Sequence, residues 1–247
     1  MRTEEWIAKI SEKLTDSDAL AMIKKGIPLG VDEAQNVVYS RVREYAYGIR
    51  HTCVTGPNRT EFIKRLILTL SCLYEADEVN FFVLSPKTEY GELLRLDNLD
   101  ITIPFIREKS DLESAKVCLQ ELLALFERER GYKKLFLVLD GLEELPDCNQ
   151  MSDLEEYRNF FELLMRKDVE IITGASLIKS IFSGYPGAFV GAGNCLVTTN
   201  ADGRADVTYT QDDFTMSMPT AITTPTVPPI HETVLLLNTI AKQKPEL

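Results

Sequence analysis

Short apolar runs alternate along the chain with longer stretches in which apolar residues recur every three or four positions. Val79 to Leu84 and Leu135 to Leu139 are nearly continuous apolar runs, the composition of strands covered on both faces of a parallel sheet. His51 to Thr55, Val169 to Thr173 and Asn194 to Thr198 read as further strands, and Asn36 to Ser40 as a short one. Between them lie helical patterns. Phe62, Leu66, Leu70 and Leu73 share one face, with Lys64, Arg65 and Thr69 on the others, which predicts an amphipathic helix. Ser110-Asp111-Leu112-Glu113 and Ser152-Asp153-Leu154-Glu155 are capping boxes that open two more, one through Leu119 and Phe126, the other through Phe160 and Leu164. Leu177 to Phe182 adds a short helix. Alternation at this spacing predicts an α/β fold: a mostly parallel sheet with helices on both faces. The strands beginning at His51, Val79, Leu135 and Val169 are expected to run in parallel.

The ends of the chain read differently. Residues 1–25 form a helical lead-in or connector, with Trp6, Ile7, Ile10 and Leu14 on one face, and the main domain spans 26–247. Gly26-Ile27-Pro28-Leu29-Gly30 breaks helix. From about residue 215 the composition shifts to Thr, Pro, Ala and Val; Pro219, Pro225, Pro228 and Pro229 exclude helix and a central strand, leaving an extended edge segment or a linker. Ile230 to Ile240 supplies a last short element.

Composition removes several function classes. A chain of 247 residues can bury one large core, and no apolar run reaches membrane-spanning length. The five cysteines form no C-x-x-C pair and only two histidines accompany them, which argues against a zinc site and for buried thiols. A net charge of −11 with dispersed Lys and Arg argues against a nucleic-acid partner, because duplex binding needs clustered cations to displace counterions.

Candidate chemistry centres on His51-Thr52-Cys53-Val54-Thr55-Gly56-Pro57-Asn58-Arg59-Thr60-Glu61-Phe62. Strand, tight turn and helix is the setting of a phosphate-binding loop, in which backbone N–H groups, a lysine and a Ser/Thr hydroxyl hold a nucleotide and its magnesium. The setting is here without the Gly-Lys-Ser/Thr triplet. The lysine and hydroxyl positions fall among Arg59, Thr60, Glu61 and Phe62, and a Glu or Phe at the helix mouth would repel or block a triphosphate. Leu135 to Asp140 has the form of a Walker B strand, in which the Asp orients magnesium and a following Glu polarises water. Here Gly141 follows, and Glu143 and Glu144 fall on the next turn. His51 reads as a structural histidine making one backbone hydrogen bond, and Ser176 and the glycines from Gly184 to Gly193 as turn residues.

In order and spacing these pieces resemble the FtsK/SpoIIIE family of P-loop ATPases over about residues 26–199. Ile27-Pro28-Leu29-Gly30 stands at the entry, Arg50 to Gly56 at the strand into Walker A, Phe82-Val83-Leu84-Ser85-Pro86-Lys87 at a strand the family ends in Asp-Pro-Lys, and Leu137 to Asp140 at Walker B. Ser85 and Gly141 stand where the family has Asp and Glu. Modules degenerate in this way are similar to the C-terminal ATPase domains of EssC/EccC, the motor of type VII secretion. The resemblance implies a RecA-like fold and a cytoplasmic domain tethered to a membrane complex through other parts of a larger protein. It implies partners that are neighbouring ATPase domains or an export-substrate helix, and a role in recognition or regulation rather than catalysis. It also implies a degenerate nucleotide site at Gly56, Asn58, Arg59, Thr60 and Asp140, with ATP and magnesium not expected, and a junction with a neighbour at Asn58, Arg59 and Glu61. The alternatives are a nucleotide-binding ATPase using Arg59 or Lys64 for the missing lysine, and a DNA-translocase component.

Overall fold

The computed structural model describes residues 5, 26–40, 51–74, 79–85, 90, 91, 93, 101–102, 120, 124, 134–140, 169–174, 195–209 and 217–224. Its strands are β1 (Pro28–Val31), β2 (Val37–Tyr39), β3 (His51–Thr55), β4 (Val79–Leu84), β5 (Ile101–Thr102), β6 (Lys134–Asp140), β7 (Val169–Gly174), β8 (Cys195–Thr199), β9 (Arg204–Tyr209) and β10 (Thr220–Thr223); helix α1 (Arg59–Leu73) follows β3. They form one sheet in the order β2-β1-β10-β9-β8-β3-β7-β6-β4-β5.

From β8 to β5 every pairing is parallel, so the strands at His51, Val79, Leu135 and Val169 run as expected. These are the apolar runs of the sequence. Phe136, Leu137, Val138 and Leu139 of β6 are all buried, and Phe81 of β4 stacks on its register partner Phe136 with ring centroids 5.3 Å apart.

The other half of the sheet corrects the expectation of a mostly parallel arrangement. From β8 to β2 the pairings are antiparallel, and the sheet is mixed. The cause is local. Asn200 to Gly203 is too short for a crossover, and it closes a hairpin through Asn200 N–H donating to the Arg204 carbonyl at 2.8 Å, with Gly203 at φ 81°.

Strand β10 is a second correction. It lies between β9 and β1, inside the sheet rather than at its edge. Its prolines bracket the strand instead of interrupting it: Pro219 precedes Thr220, and Pro225 comes after Thr223. Likewise the Gly26–Gly30 stretch does more than break helix, since Pro28 takes the first position of β1, where a missing N–H is tolerated.

Helix α1 is a third. It is not amphipathic in its surroundings: Lys64 (6% exposed), Arg65 (8%) and Thr69 are buried along with Phe62, Leu66 and Leu70. Arg65 lies over the Phe62 ring, 4.4 Å from its centroid, and burial lowers its pKa to about 9 against the opposing pull of Glu61. From Phe62 to Ser71 the helix is therefore an interior element, with Glu61 exposed in its first turn. No described helix is long and apolar enough to cross a membrane. Of the helices expected at 1–25 and 110–131 only residues 5, 120 and 124 are described, and each is helical; the helices expected at 152–164 and 177–182 and the last element at 230–240 lie outside the described residues, as do Gly141, Glu143, Glu144 and Ser176.

Candidate functional site

The carboxyl ends of β3, β6 and β7 meet at the start of α1, and Asp140 is the residue they enclose. It ends β6 opposite Gly174 of β7, whose missing side chain makes the approach possible: a Cβ there would strike the Asp140 carboxylate and come within 2.8 Å of Ile63 Cδ1. The Asp140 side chain is completely buried. Buried carboxylates need paired charge and donors, and the start of α1 supplies both. Arg59 Nε stands 3.2 Å from Oδ1, an ion pair without hydrogen-bond alignment, and its side chain is 13% exposed. The Thr60 hydroxyl donates to Oδ2 at 2.7 Å, and the Tyr90 hydroxyl donates to the same oxygen at 2.9 Å.

Of the four positions among which the lysine and hydroxyl could fall, Arg59 and Thr60 are therefore the two that reach Asp140. Glu61 turns outward and pairs with Lys64 at 3.0 Å. Phe62 turns into the core and does not block the helix mouth, correcting the expectation for that residue. Tyr90 is the residue sequence reasoning missed. It lies in a 3₁₀ turn after β4, and a lone buried tyrosine that needs a partner for its hydroxyl carries no spacing signal.

The turn between β3 and α1 is held from its other side by the end of β8. Gly56 sits at φ 96°, in the left-handed region, with Thr199 against the face a side chain would occupy. The Thr199 hydroxyl donates to the Thr55 carbonyl at 2.8 Å and accepts from the Asn58 N–H at 3.2 Å. The Asn58 side-chain amide donates to the Asn200 carbonyl at 2.8 Å rather than capping α1. Gly56 and Asn58 thus face β8, while Arg59 and Thr60 face Asp140.

His51 lies lower on β3. Its Nε2 contacts the Thr173 hydroxyl at 2.7 Å, and burial lowers its pKa to about 4. The folded protein keeps this ring neutral while the unfolded chain takes up a proton below about pH 6.5. Stability is therefore full above that pH and falls as pH drops toward the folded value, by about 2 kcal/mol at pH 5. Unfolding free energies from urea titrations at pH 7 and pH 5 should differ by about this amount in the natural protein, and by much less in His51→Asn. Burial also raises both described free thiols, Cys53 and Cys195. Among the described residues no three His, Cys, Asp or Glu side chains group as metal ligands.

A parallel half-sheet in which an aspartate ending β6 faces a hydroxyl at the start of the helix after β3 is the arrangement of a P-loop ATPase type of fold, extended here by antiparallel strands. No protein-family model matches the chain, and no curated protein sequence matches it. Solved structures do. The cytoplasmic domain of the Thermomonospora curvata type VII secretion ATPase EccC superposes with a TM-score of 0.57 at 14% identity, covering 91% of this chain and 32% of that one. ATPases 2 and 3 of EssC from Geobacillus thermodenitrificans give 0.52 at 11% identity, covering 88% and 49%. ATPases 2 and 3 of T. curvata EccC, in complex with a signal sequence peptide, give 0.50 at 12% identity, covering 83% and 42%. The chain has the fold of the type VII secretion ATPase domains, as the sequence resemblance implied, and spans a third to a half of those structures.

Proposed function

We propose that this chain is an FtsK-like module of a type VII secretion motor whose nucleotide site is closed and whose work is contact with protein. The observation that carries the reading is Asp140. Its two oxygens are taken up by Arg59, Thr60 and Tyr90, so the carboxylate that would orient a magnesium shell is neutralised inside the fold. The residues present do not suit a magnesium nucleotide: Pro57 has no N–H to offer, and the Asn58 N–H is given to Thr199. Partners of the expected chemistry are adjoining ATPase domains or an export-substrate helix, the latter in line with the signal peptide bound by T. curvata EccC. The module would then be cytoplasmic and joined to a membrane complex through other parts of a longer protein.

Glu61, whose side chain is 57% exposed, is the position of the expected junction best placed to meet a neighbour. Arg59 is less suited, because reversing its charge would also break the Asp140 ion pair.

A second reading has an observation of its own. Arg59 and Thr60 are adjacent and both reach Asp140, the relation that a lysine–threonine pair would have, so Arg59 could serve a nucleotide by leaving Asp140. Calorimetric titration with magnesium-ATP separates the two. The closed-site reading expects no binding in the micromolar range; micromolar affinity would reject it in favour of an ATPase with an arginine in its loop.

A further inference from the structure

We propose that Thr199 is an internal ligand of the β3–α1 turn: the end of β8 fills, with the chain's own atoms, the place where a phosphate oxygen would meet this turn. The inference rests on the closed-site reading and deepens it by naming what occupies the turn.

A glycine at a phosphate loop leaves its face bare so that an anion can come close. Gly56 keeps that conformation, with φ 96°. The bare face is nevertheless taken. An ideal Cβ at Gly56 would strike the Thr199 carbonyl oxygen, and would lie 2.6 Å from the Thr199 hydroxyl and 3.0 Å from its backbone nitrogen. Three atoms of one residue crowd the space that glycine leaves open.

The hydrogen bonds agree with the packing. The Thr199 hydroxyl accepts from the Asn58 N–H at 3.2 Å, as an anion oxygen would, and unlike an anion it also donates, to the Thr55 carbonyl at 2.8 Å. It thereby satisfies a donor and an acceptor of the turn at once, which a phosphate oxygen cannot do. Asn58 fixes the arrangement by donating from its side chain to Asn200, the next residue after Thr199. Thr224 holds the far side of the same hairpin through the Gly203 carbonyl at 2.6 Å. The contact is thus built into the β8–β9 hairpin and acts as an autoinhibitory plug.

The test is amide hydrogen exchange at Asn58 with pyrophosphate as the probe. Thr199→Ala removes the hydroxyl and vacates the acceptor position opposite the Asn58 N–H; Thr199→Ser keeps the hydroxyl. In Thr199→Ala the Asn58 amide should exchange at least tenfold faster than in the natural protein, and millimolar pyrophosphate should slow it again. In the natural protein and Thr199→Ser, pyrophosphate should change nothing. Unchanged exchange in Thr199→Ala, or no protection by pyrophosphate there, overturns the proposal. Should Thr199→Ala fold poorly, Thr199→Val keeps the shape without the hydroxyl, and unchanged Asn58 exchange in it is equally decisive. Failure of the closed-site reading is seen separately, as magnesium-ATP binding to the natural protein.

Discussion

Replacing Asp140 with alanine should lower folding stability by about 3–5 kcal/mol, the usual cost of removing one partner from a buried ion pair. The carboxylate is shared by Arg59, Thr60 and Tyr90, which come from the start of α1 and from the segment after β4. Without it, two hydroxyls lose a buried acceptor and the Arg59 guanidinium loses its counter-charge. Asp140→Asn should cost less, because the amide oxygen can still accept from Thr60 or Tyr90. Urea unfolding of both variants gives the measurement. An aspartate kept only to orient a metal ion would behave in the opposite way: its removal from a ligand-free protein costs little or stabilises it. Near-natural stability in Asp140→Ala would therefore contradict a structural role for this carboxylate.

Gly56→Ala is expected to cost about 3 kcal/mol, from two additive sources. The left-handed backbone costs an ordinary residue roughly 1–2 kcal/mol, and forcing a methyl into a filled space typically costs about 1–3 kcal/mol more. Here the obstruction is largely backbone, the carbonyl and nitrogen of Thr199, so no rotamer change relieves it. For a domain of this size the melting temperature should fall by about 6–12 °C. Adding Thr199→Ala cannot rescue the variant, since the obstructing backbone atoms remain. A fall of only a degree or two in Gly56→Ala would mean that β8 can yield from the turn.

What the sequence disclosed depended on how local the signal was. Strands β4 and β6 are apolar at nearly every position because parallel neighbours and covering layers leave them no solvent face, and such runs can be read directly. The antiparallel half gave less away. Strand β8, read at Asn194 to Thr198, alternates buried and half-buried positions, but β10 shows one buried residue in four, so apolar content alone does not mark it. The Asp202-Gly203 pair was nonetheless a legible hairpin signal. Asp140, Arg59 and Thr60 could be singled out because motif order places them, yet their contacts could not. Whether a buried carboxylate meets an arginine or a magnesium ion depends on packing between elements far apart in sequence. Thr199 and Tyr90 show this most plainly, since each meets its partner only through the tertiary fold.

The position of β10 sets a constraint on how this chain is made. Of the described strands β1 and β2 are made first, but the strand that pairs with β1 beyond the hairpin itself is β10, the last of them. At about 5–20 residues per second, roughly 10–40 s of vectorial synthesis separates the two. Throughout that interval the nascent β1–β2 hairpin lacks its described pairing strand, while the central parallel strands can already assemble. The antiparallel half of the sheet is thus the last part to be completed, and the late-made segment is the one that joins the early hairpin to the rest.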